Sequence, residues 1–548
     1  MLRRGLQLAL VQHHRSPSSP SLLPPRRFLA PGRRPSSSSS SSIGLAGDTI
    51  YALSTGLGRA AIAVIRITGP ACLDVYRSLC PGKAPPLPRK ATIRTLRDDH
   101  DQVLDPQALV LFFPGPKTVT GQDVLELQVH GGTATVRAVL AAVPRCGRGR
   151  VRYAEPGEFT RRAFFHGRLE LAQVEALGDA LAAETEQQRR AAVGGSSGAL
   201  GRRYEGWRRQ LLEARAELEA LIDFSEDQHF NQSPTGLLRG VVVRIDDMRK
   251  TMRLHDRMAY RGELLRRGIR VALLGPPNVG KSSLMNLIVG REASIVSAEA
   301  GTTRDVIEAG LDLGGYLCSF ADTAGFRGGI GDGDGERKNV VGAVEAEGIR
   351  RARQQARDAH VVVAMASIER GPKIVYDEET LSLASVALAH LVVVNKSDAV
   401  PADEANELVR RFHEEVVRRI HEEKGARHGG AVVEATPRPL LISCAEEADG
   451  SAVRAVADAL MESFSRMTYV DDEMLLGVTE RQRQLLACCR EHLGDFSGEA
   501  GKAEPDVVLA AEHLRMAANC LACITGRVEG GDVEELLGVV FERFCVGK

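Results

Sequence analysis

The stretch Ile269-Arg-Val-Ala-Leu-Leu-Gly-Pro-Pro-Asn-Val-Gly-Lys-Ser-Ser-Leu-Met-Asn-Leu-Ile-Val289 decides the fold. An apolar run, Ile269 to Leu274, leads into the turn Gly275 to Ser282, and Ser283 to Val289 has helical spacing. Strand, glycine-rich turn and helix N-terminus together make a phosphate cradle. Backbone N–H groups of Asn278, Val279, Gly280 and Ser283 point inward, and the helix dipole favours anions. Lys281 reaches the terminal phosphates, and the Ser282 hydroxyl is placed to ligate magnesium.

Four further segments follow in the order a guanine-nucleotide domain needs. Gly301-Thr-Thr-Arg-Asp305 supplies a mobile loop in which Thr303, beside Thr302, ligates magnesium when a γ-phosphate is present. Asp322-Thr-Ala-Gly325 follows the apolar stretch Tyr316 to Ala321; Asp322 holds the metal through water, and the Gly325 N–H meets the γ-phosphate. Asn395-Lys-Ser-Asp398 follows His390 to Val394, and Asp398 accepts both N1–H and the exocyclic amine of guanine, which adenine does not offer. Ser443-Cys-Ala445 closes the base pocket. Each segment alone is weak, but five in this order predict a GTPase.

Two details constrain catalysis. Phe326 follows Gly325, where small signalling GTPases carry a water-orienting glutamine. Water activation then falls to an acidic residue downstream, Glu345 or Glu347. Asn278 is either a plain turn residue or a side-chain carbonyl that coordinates a monovalent cation beside the phosphates, replacing the charge of an arginine finger.

The 548 residues suffice for about three or four domains, with the charged and apolar content of an ordinary globular protein. No apolar run approaches the roughly 18 residues of a membrane span. The ten cysteines show no disulfide framework, and Cys520-Leu-Ala-Cys523 reads as small core residues because no second pair lies nearby in sequence. Residues 1–47 are arginine-rich, serine-rich and free of acid, the composition of an organellar transit peptide. Without them Lys+Arg falls from 71 to 64 against 71 Asp+Glu, a net charge near −7. A polyanionic partner then needs a local basic patch.

From Asp48 to Tyr153 the chain reads as short strands and turns, with β-rich runs at Ala60–Ile67, Ala108–Phe113 and Val124–Val129. Arg66 and Glu126 are charges inside two of these runs, explained by solvent-facing alternation or by a polar ligand pocket. From Glu158 to Glu263 the period becomes helical, clearest at Ala172–Glu184 and Leu211–Ile222. Gly201 to Gln210 sets four arginines around Tyr204 and the only tryptophan, either a nucleic-acid patch or a solvated helix face. The predicted division is 1–47 transit segment, 48–160 N-terminal domain, 161–267 first helical part, 268–465 nucleotide domain and 466–548 second helical part. The fold class is α/β plus α: a P-loop domain with a mostly parallel sheet, inserted in a helical domain and preceded by an α+β domain.

With these residues in hand, the chain resembles the tRNA-modification GTPases of the MnmE/TrmE family over nearly everything after the transit segment. Asp48-Thr-Ile50, Gly58-Arg59, Phe113-Pro-Gly-Pro116, Thr120-Gly121, Leu125-Glu-Leu127, His130-Gly-Gly132 and Pro156-Gly-Glu-Phe159 carry the likeness, together with Pro277-Asn278, Gly301–Asp305, Asp322–Gly325 and the terminal Phe544-Cys-Val-Gly-Lys548. The resemblance implies a homodimer joined through N-terminal domains that bind a formyl- or methylene-tetrahydrofolate at Arg66, Glu126, Arg168 and Lys548. Arg168 stands where the family has lysine, which keeps the charge and changes the hydrogen-bond geometry. It also implies potassium at Asn278, Ser297, Glu299 and Thr302, the catalytic carboxylate at Glu345 rather than Glu347, and a role in modification for Cys545. The implied partners are tRNA and an FAD-dependent protein of the MnmG/GidA type. The implied reaction installs a carboxymethylaminomethyl- or taurinomethyl-type group on C5 of wobble uridine 34 in mitochondrial tRNAs. One departure is a glycine-rich stretch, Phe326 to Val344, about ten residues longer than the family's switch. The alternative is a GTP-dependent ribosome-assembly or RNA-binding switch without modification chemistry, which needs neither the Cys-Val-Gly-Lys tail nor the folate-like strands.

Overall fold

The computed structural model describes residues 47–146, 150–223, 234–297, 310–321, 353–369, 371, 373–385, 387–420, 422, 438–445, 451–470, 477–527, 540–541, 544 and 547. The transit segment and the glycine-rich 326–344 stretch lie outside them.

The N-terminal part is built on a six-stranded sheet: β1 (Thr49–Leu53), β2 (Ile62–Thr68), β3 (Thr92–Arg97), β4 (Val103–Phe113), β5 (Val124–His130) and β6 (Val151–Tyr153), ordered β3-β4-β5-β2-β1-β6. All pairings are antiparallel except β1 with β6. Odd-numbered side chains of β2 and β5 (Ala63, Ile65, Ile67, Leu125, Leu127, Val129) are buried on one face against helices α1 (Cys72–Leu79) and α2 (Thr133–Cys146). Neither helix was expected, the region having read as strands and turns. The opposite face carries Ile50 and Ala52, which pack with Phe159 of helix α3 (Glu158–Phe165), and the polar residues Arg66, Thr68 and Glu126.

Helices α4 (Leu171–Ala182), α5 (Glu186–Ser196), α6 (Ala199–Asp223) and α7 (Pro234–Arg267) follow. Glu170 and Thr185 each form a capping box with a glutamine three residues on, which satisfies orphan N–H groups and starts α4 and α5. After the nucleotide domain come α12 (Glu480–Ala500) and α13 (Val507–Thr525), whose N-caps Thr479 and Asp506 accept backbone N–H bonds. One core unites both stretches, with Leu200, Leu211, Leu218, Val241 and Met252 packed among Leu486, Leu493, Phe496, Leu514 and Leu521. Arg481 of α12 pins it, donating to both Glu175 oxygens at 2.6 and 3.1 Å and to the Cys523 carbonyl at 3.0 Å.

Two expectations change here. Tyr204 is fully buried and hydrogen-bonded to His255 Nε2 at 3.0 Å, and Trp207 packs edge-on against the same imidazole. Tyr204 is therefore a core residue that cannot stack on bases, and Trp207 is a partly buried residue packed against the same core. Helix α13 has the length and apolarity of a membrane span, contrary to the expectation that no segment does, but Ala510, Leu514, Ala517, Leu521 and Ile524 face the bundle core.

The nucleotide domain contains β7 (Ile269–Leu274), helix α8 (Lys281–Leu287), β8 (Ala293–Ser297), β9 (Gly310–Leu313), β10 (Tyr316–Phe320), β11 (Val361–Glu369), β12 (Lys373–Val375), helix α9 (Glu378–Ala384), β13 (Ala389–Asn395), helix α10 (Ala402–Phe412), β14 (Leu440–Leu441) and helix α11 (Ser451–Thr468). The sheet order is β14-β13-β11-β7-β10-β9-β8, with β12 beside β11. The central strands are parallel and only the margins antiparallel, as a mostly parallel sheet requires. Burial on both faces explains the unbroken apolar runs of β7, β11 and β13. Helix α11 packs in this core through Val453, Val456, Leu460 and Phe464, with Met467 against it.

Candidate functional site

Strand β7 ends at Leu274 and the chain turns at once through Gly275, φ +150°, where a Cβ would lie 2.4 Å from the Met365 carbonyl oxygen. Gly280, φ +102°, would likewise place a Cβ 2.2 Å from Asn395 Nδ2. Only glycine fits either position. Asn278 sits between them at φ +61°, a left-handed conformation asparagine tolerates, so the turn role is real whatever else its side chain does. Lys281 opens α8, and its ammonium spans the loop, donating to the carbonyls of Gly275 at 2.9 Å and Pro276 at 2.8 Å. Burial holds its pKa below the usual lysine value. Ser282 and Ser283 share that first turn. The arrangement presents a cation and a helix N-terminus to one concavity, which suits a polyphosphate.

The base side is tied to this loop by a single side chain. Asn395, 3% exposed at the end of β13, donates through Nδ2 to the Val279 carbonyl at 2.8 Å. Its Oδ1 accepts from the Cys444 N–H at 3.1 Å. Lys396 adopts a left-handed conformation, φ +62°, and its ammonium pairs with Glu369, whose carboxyl is held below the usual range by that contact. Asp398 Oδ1 accepts from Ser443 Oγ, and Ser443 Oγ accepts from the Ala445 N–H at 3.2 Å. Asn395, Lys396, Asp398, Ser443, Cys444 and Ala445 are thus brought together beside Val279 and Gly280. Glu369 was missed; a lone glutamate ending a strand carries no signal of its own. Strand β10 ends two residues before Asp322, and Ser297 closes β8. The side chain of Ser297 and residues Glu299, Gly301, Thr302, Thr303, Asp322, Thr323, Ala324, Gly325, Glu345 and Glu347 lie outside the described residues.

A second constellation lies on the polar face of the N-terminal sheet. Arg66 of β2 and Glu126 of β5 are direct cross-strand partners, with Arg66 Nε 3.0 Å from Glu126 Oε1. Their side chains are only 26% and 18% exposed. Two residues along β2, Thr68 Oγ1 is 2.6 Å from Thr120 Oγ1, and Arg168 Nε donates to the Thr118 carbonyl at 2.8 Å. The 118–120 loop therefore links Arg168 to the strand that carries Arg66. At the end of β1, Ser54 Oγ donates to the Gly547 carbonyl at 2.9 Å, and a Cβ on Gly547 would lie 2.1 Å from the Leu53 carbonyl oxygen. Phe541 and Phe544 pack with Leu171 and Val174 of α4. Cys545 and Lys548 lie within two residues of Gly547 in sequence but outside the described residues.

One network that the sequence reading did not single out fixes the domain's edge. Arg162, fully buried, binds Asp48 Oδ1 at 2.7 Å and Glu158 Oε1 at 3.0 Å, while Arg152 binds Glu158 through two nitrogens at 2.6 and 2.8 Å. Burial pushes the Glu158 carboxyl up, but bonds from Arg152, the Glu155 N–H and Arg162 outweigh it and leave its pKa below the usual range.

Two family models cover the chain. The model of the GTP-binding protein TrmE N-terminus matches residues 49–168, and that of the MnmE helical domain matches residues 171–545. The chain is 38% identical over 504 residues to the human protein named mitochondrial 5-taurinomethyluridine-[tRNA] synthase subunit GTPB3, covering 92% of this chain and 94% of that one. It is 39% identical over 506 residues to the tRNA modification GTPase MnmE of Paramagnetospirillum magneticum, covering 91% of this chain and all of that protein. The cytosolic domain of the T. maritima FeoB iron transporter, in a GDP form, aligns with 46% of this chain and 97% of its own at 13% identity and a TM-score of 0.19, too distant to bear on the fold. A phosphate loop, an adjoining asparagine-anchored base loop and end-to-end similarity lead to one conclusion: the chain belongs to the MnmE/TrmE family of tRNA-modification GTPases.

Proposed function

We propose that this protein is a potassium-dependent GTPase that modifies C5 of the wobble uridine in mitochondrial tRNAs, together with an FAD-dependent partner of the MnmG/GidA type. The observation that carries the reading is the seating of the chain's last residues beside the Arg66–Glu126 sheet face, through Ser54 and Gly547. A one-carbon carrier would be held by Arg66, Glu126, Arg168 and Lys548, with Cys545 taking part in the modification. A partly buried ion pair on a sheet face suits a folate: the guanidinium bonds a carbonyl or carboxylate, and the carboxylate accepts from the pterin's amino group and ring N–H. Magnesium would be held by Ser282 and Thr303, and potassium by Asn278, Ser297, Glu299 and Thr302. Bound together, the two cations supply positive charge to the phosphates. Lys281 contributes its own charge there, and Glu345 orients the attacking water.

The two halves of the helical domain share one core, so we read the nucleotide domain as an insertion within it. The Gly314–Gly315 turn between β9 and β10 receives the Gln187 N–H at 3.1 Å, which links the strand leading to Asp322 with α5. Nucleotide state would reach the helices through that strand. A homodimer through the N-terminal domains fits the same scheme. The mitochondrial address rests on the composition of residues 1–47 and on the human relative's printed name.

The test is a paired assay on the purified protein. Titration with 5-formyl-tetrahydrofolate should give saturable binding that Arg66→Ala and Glu126→Ala each weaken at least tenfold. GTP hydrolysis should fall sharply when sodium replaces potassium and vanish in Glu345→Ala while nucleotide binding persists. Folate binding untouched by both sheet variants would overturn the N-terminal assignment. If Glu347→Ala is the inactive variant instead, the catalytic register is wrong by two residues.

A further inference from the structure

The seam between α12 and α13 contains a group of side chains that the GTPase chemistry does not use. Cys488 and His492 lie one turn apart on α12, and Cys520 faces them from α13; one ligand atom from each lies within 4.8 Å of the others. Cys488 Sγ is 3.6 Å from His492 Nε2. A tetrahedral zinc ion, with bonds of about 2.3 Å to sulfur and about 2.05 Å to nitrogen, sets its sulfur and nitrogen ligands about 3.6 Å apart. Further along the seam, ligand atoms of His492, Asp495 and His513 also lie within 4.8 Å of one another. The Nδ1 atoms of His492 and His513 are buried without a hydrogen-bond partner. An unpaired buried ring nitrogen is costly, and a metal on one nitrogen with a carboxylate accepting from the other is the arrangement that removes the cost.

The sequence reading dismissed Cys520 because no second cysteine pair lies near it in the chain. The antiparallel helices supply the missing ligands instead, thirty residues away in sequence, and Cys523 is not one of them.

We propose that Cys488, His492 and Cys520 bind a zinc ion that staples the C-terminal helical hairpin, with water as the fourth ligand and Asp495 and His513 orienting the His492 ring. Two thiolates and an imidazole favour zinc over magnesium or calcium. The thiols lose their protons on binding, so the site fills more readily as pH rises. The groups facing the site are Cys488 and His492 from α12, Cys520 and His513 from α13, with Asp495 at the seam's outer edge.

The test uses the full chain, purified under reducing conditions without chelator. Elemental analysis should find one zinc per chain. Replacement by cobalt(II) should give a near-ultraviolet thiolate charge-transfer band and the strong visible bands of a tetrahedral site, features that cobalt at a nucleotide-bound magnesium position does not produce. Cys488→Ser with Cys520→Ser should abolish zinc and bands, and His492→Asn, which keeps both thiolates, should weaken zinc binding at least tenfold. Cys318→Ser should change neither. Chelation should lower the melting temperature of the wild type and leave that of the double variant unchanged. Zinc-free protein with no cobalt band, or a Cys488–Cys520 disulfide found by mass spectrometry in protein that binds no zinc, would overturn the proposal.

Discussion

Asn395→Asp isolates the link between phosphate loop and base loop. The substitution keeps the side chain's shape and the Oδ1 acceptor for the Cys444 N–H, but puts an oxygen where Nδ2 donates to the Val279 carbonyl at 2.8 Å. Two acceptors then face each other in a site only 3% exposed. Losing the bond costs at least about 1 kcal/mol. The ceiling is set by protonation: an aspartic acid that keeps its proton restores the donor, and raising its pKa from about 3.9 to 7 costs about 4 kcal/mol. GDP affinity should therefore fall by about 5- to 1,000-fold at pH 7. The folded pKa of the new carboxyl is raised, so the penalty is full above that pKa and shrinks as pH falls through it towards the ordinary carboxylate range. Fluorescent GDP titrations of wild type, Asn395→Asp and Asn395→Ala across pH 5.5 to 8 provide the assay. Wild-type affinity for Asn395→Asp at pH 8, or a loss that does not ease with acid, would refute the bridging role. Asn395→Ala should lose affinity without that pH dependence.

Glu158→Gln leaves Arg152 and the fully buried Arg162 short of a negative charge, and should cost about 3 kcal/mol of stability by chemical denaturation. The native Glu158 pKa is depressed, so its contribution is present above the ordinary carboxylate range and is lost as pH falls through the folded value; the wild type should lose its advantage over the variant in acid. Asp398→Asn should shift base preference from guanine towards xanthine nucleotides in competition binding, and unchanged GTP preference would remove Asp398 from base recognition. Arg481→Ala strips the partly buried Glu175 of its bidentate partner and should lower the melting temperature by several degrees, with GTP affinity unchanged.

The nucleotide side was the most legible in sequence because its constraints are local. Gly275 and Gly280 are spaced by backbone geometry within one turn, and buried parallel strands write themselves as apolar runs at 269–274 and 389–395. What stayed open or was missed depends on partners far away in the chain. Arg66 and Glu126 were equally readable as solvent-facing alternation until the β2–β5 register set them opposite each other. Tyr204 and Trp207 sit among arginines at a spacing that fits a stacking surface and a buried helix stripe alike; His255, fifty residues on, decides for the core. Helix α1 is only eight residues long with no side-chain N-cap, and α2 contains Pro144, so neither carries a usual start or continuation signal.

Mass spectrometry of nucleoside 34 in mitochondrial tRNAs from cells lacking this protein tests the central claim most directly. The C5 modification should be absent, should return on re-expression of the wild type, and should not return with Lys281→Ala. Fully modified wobble uridine in the absence of the protein would contradict the account.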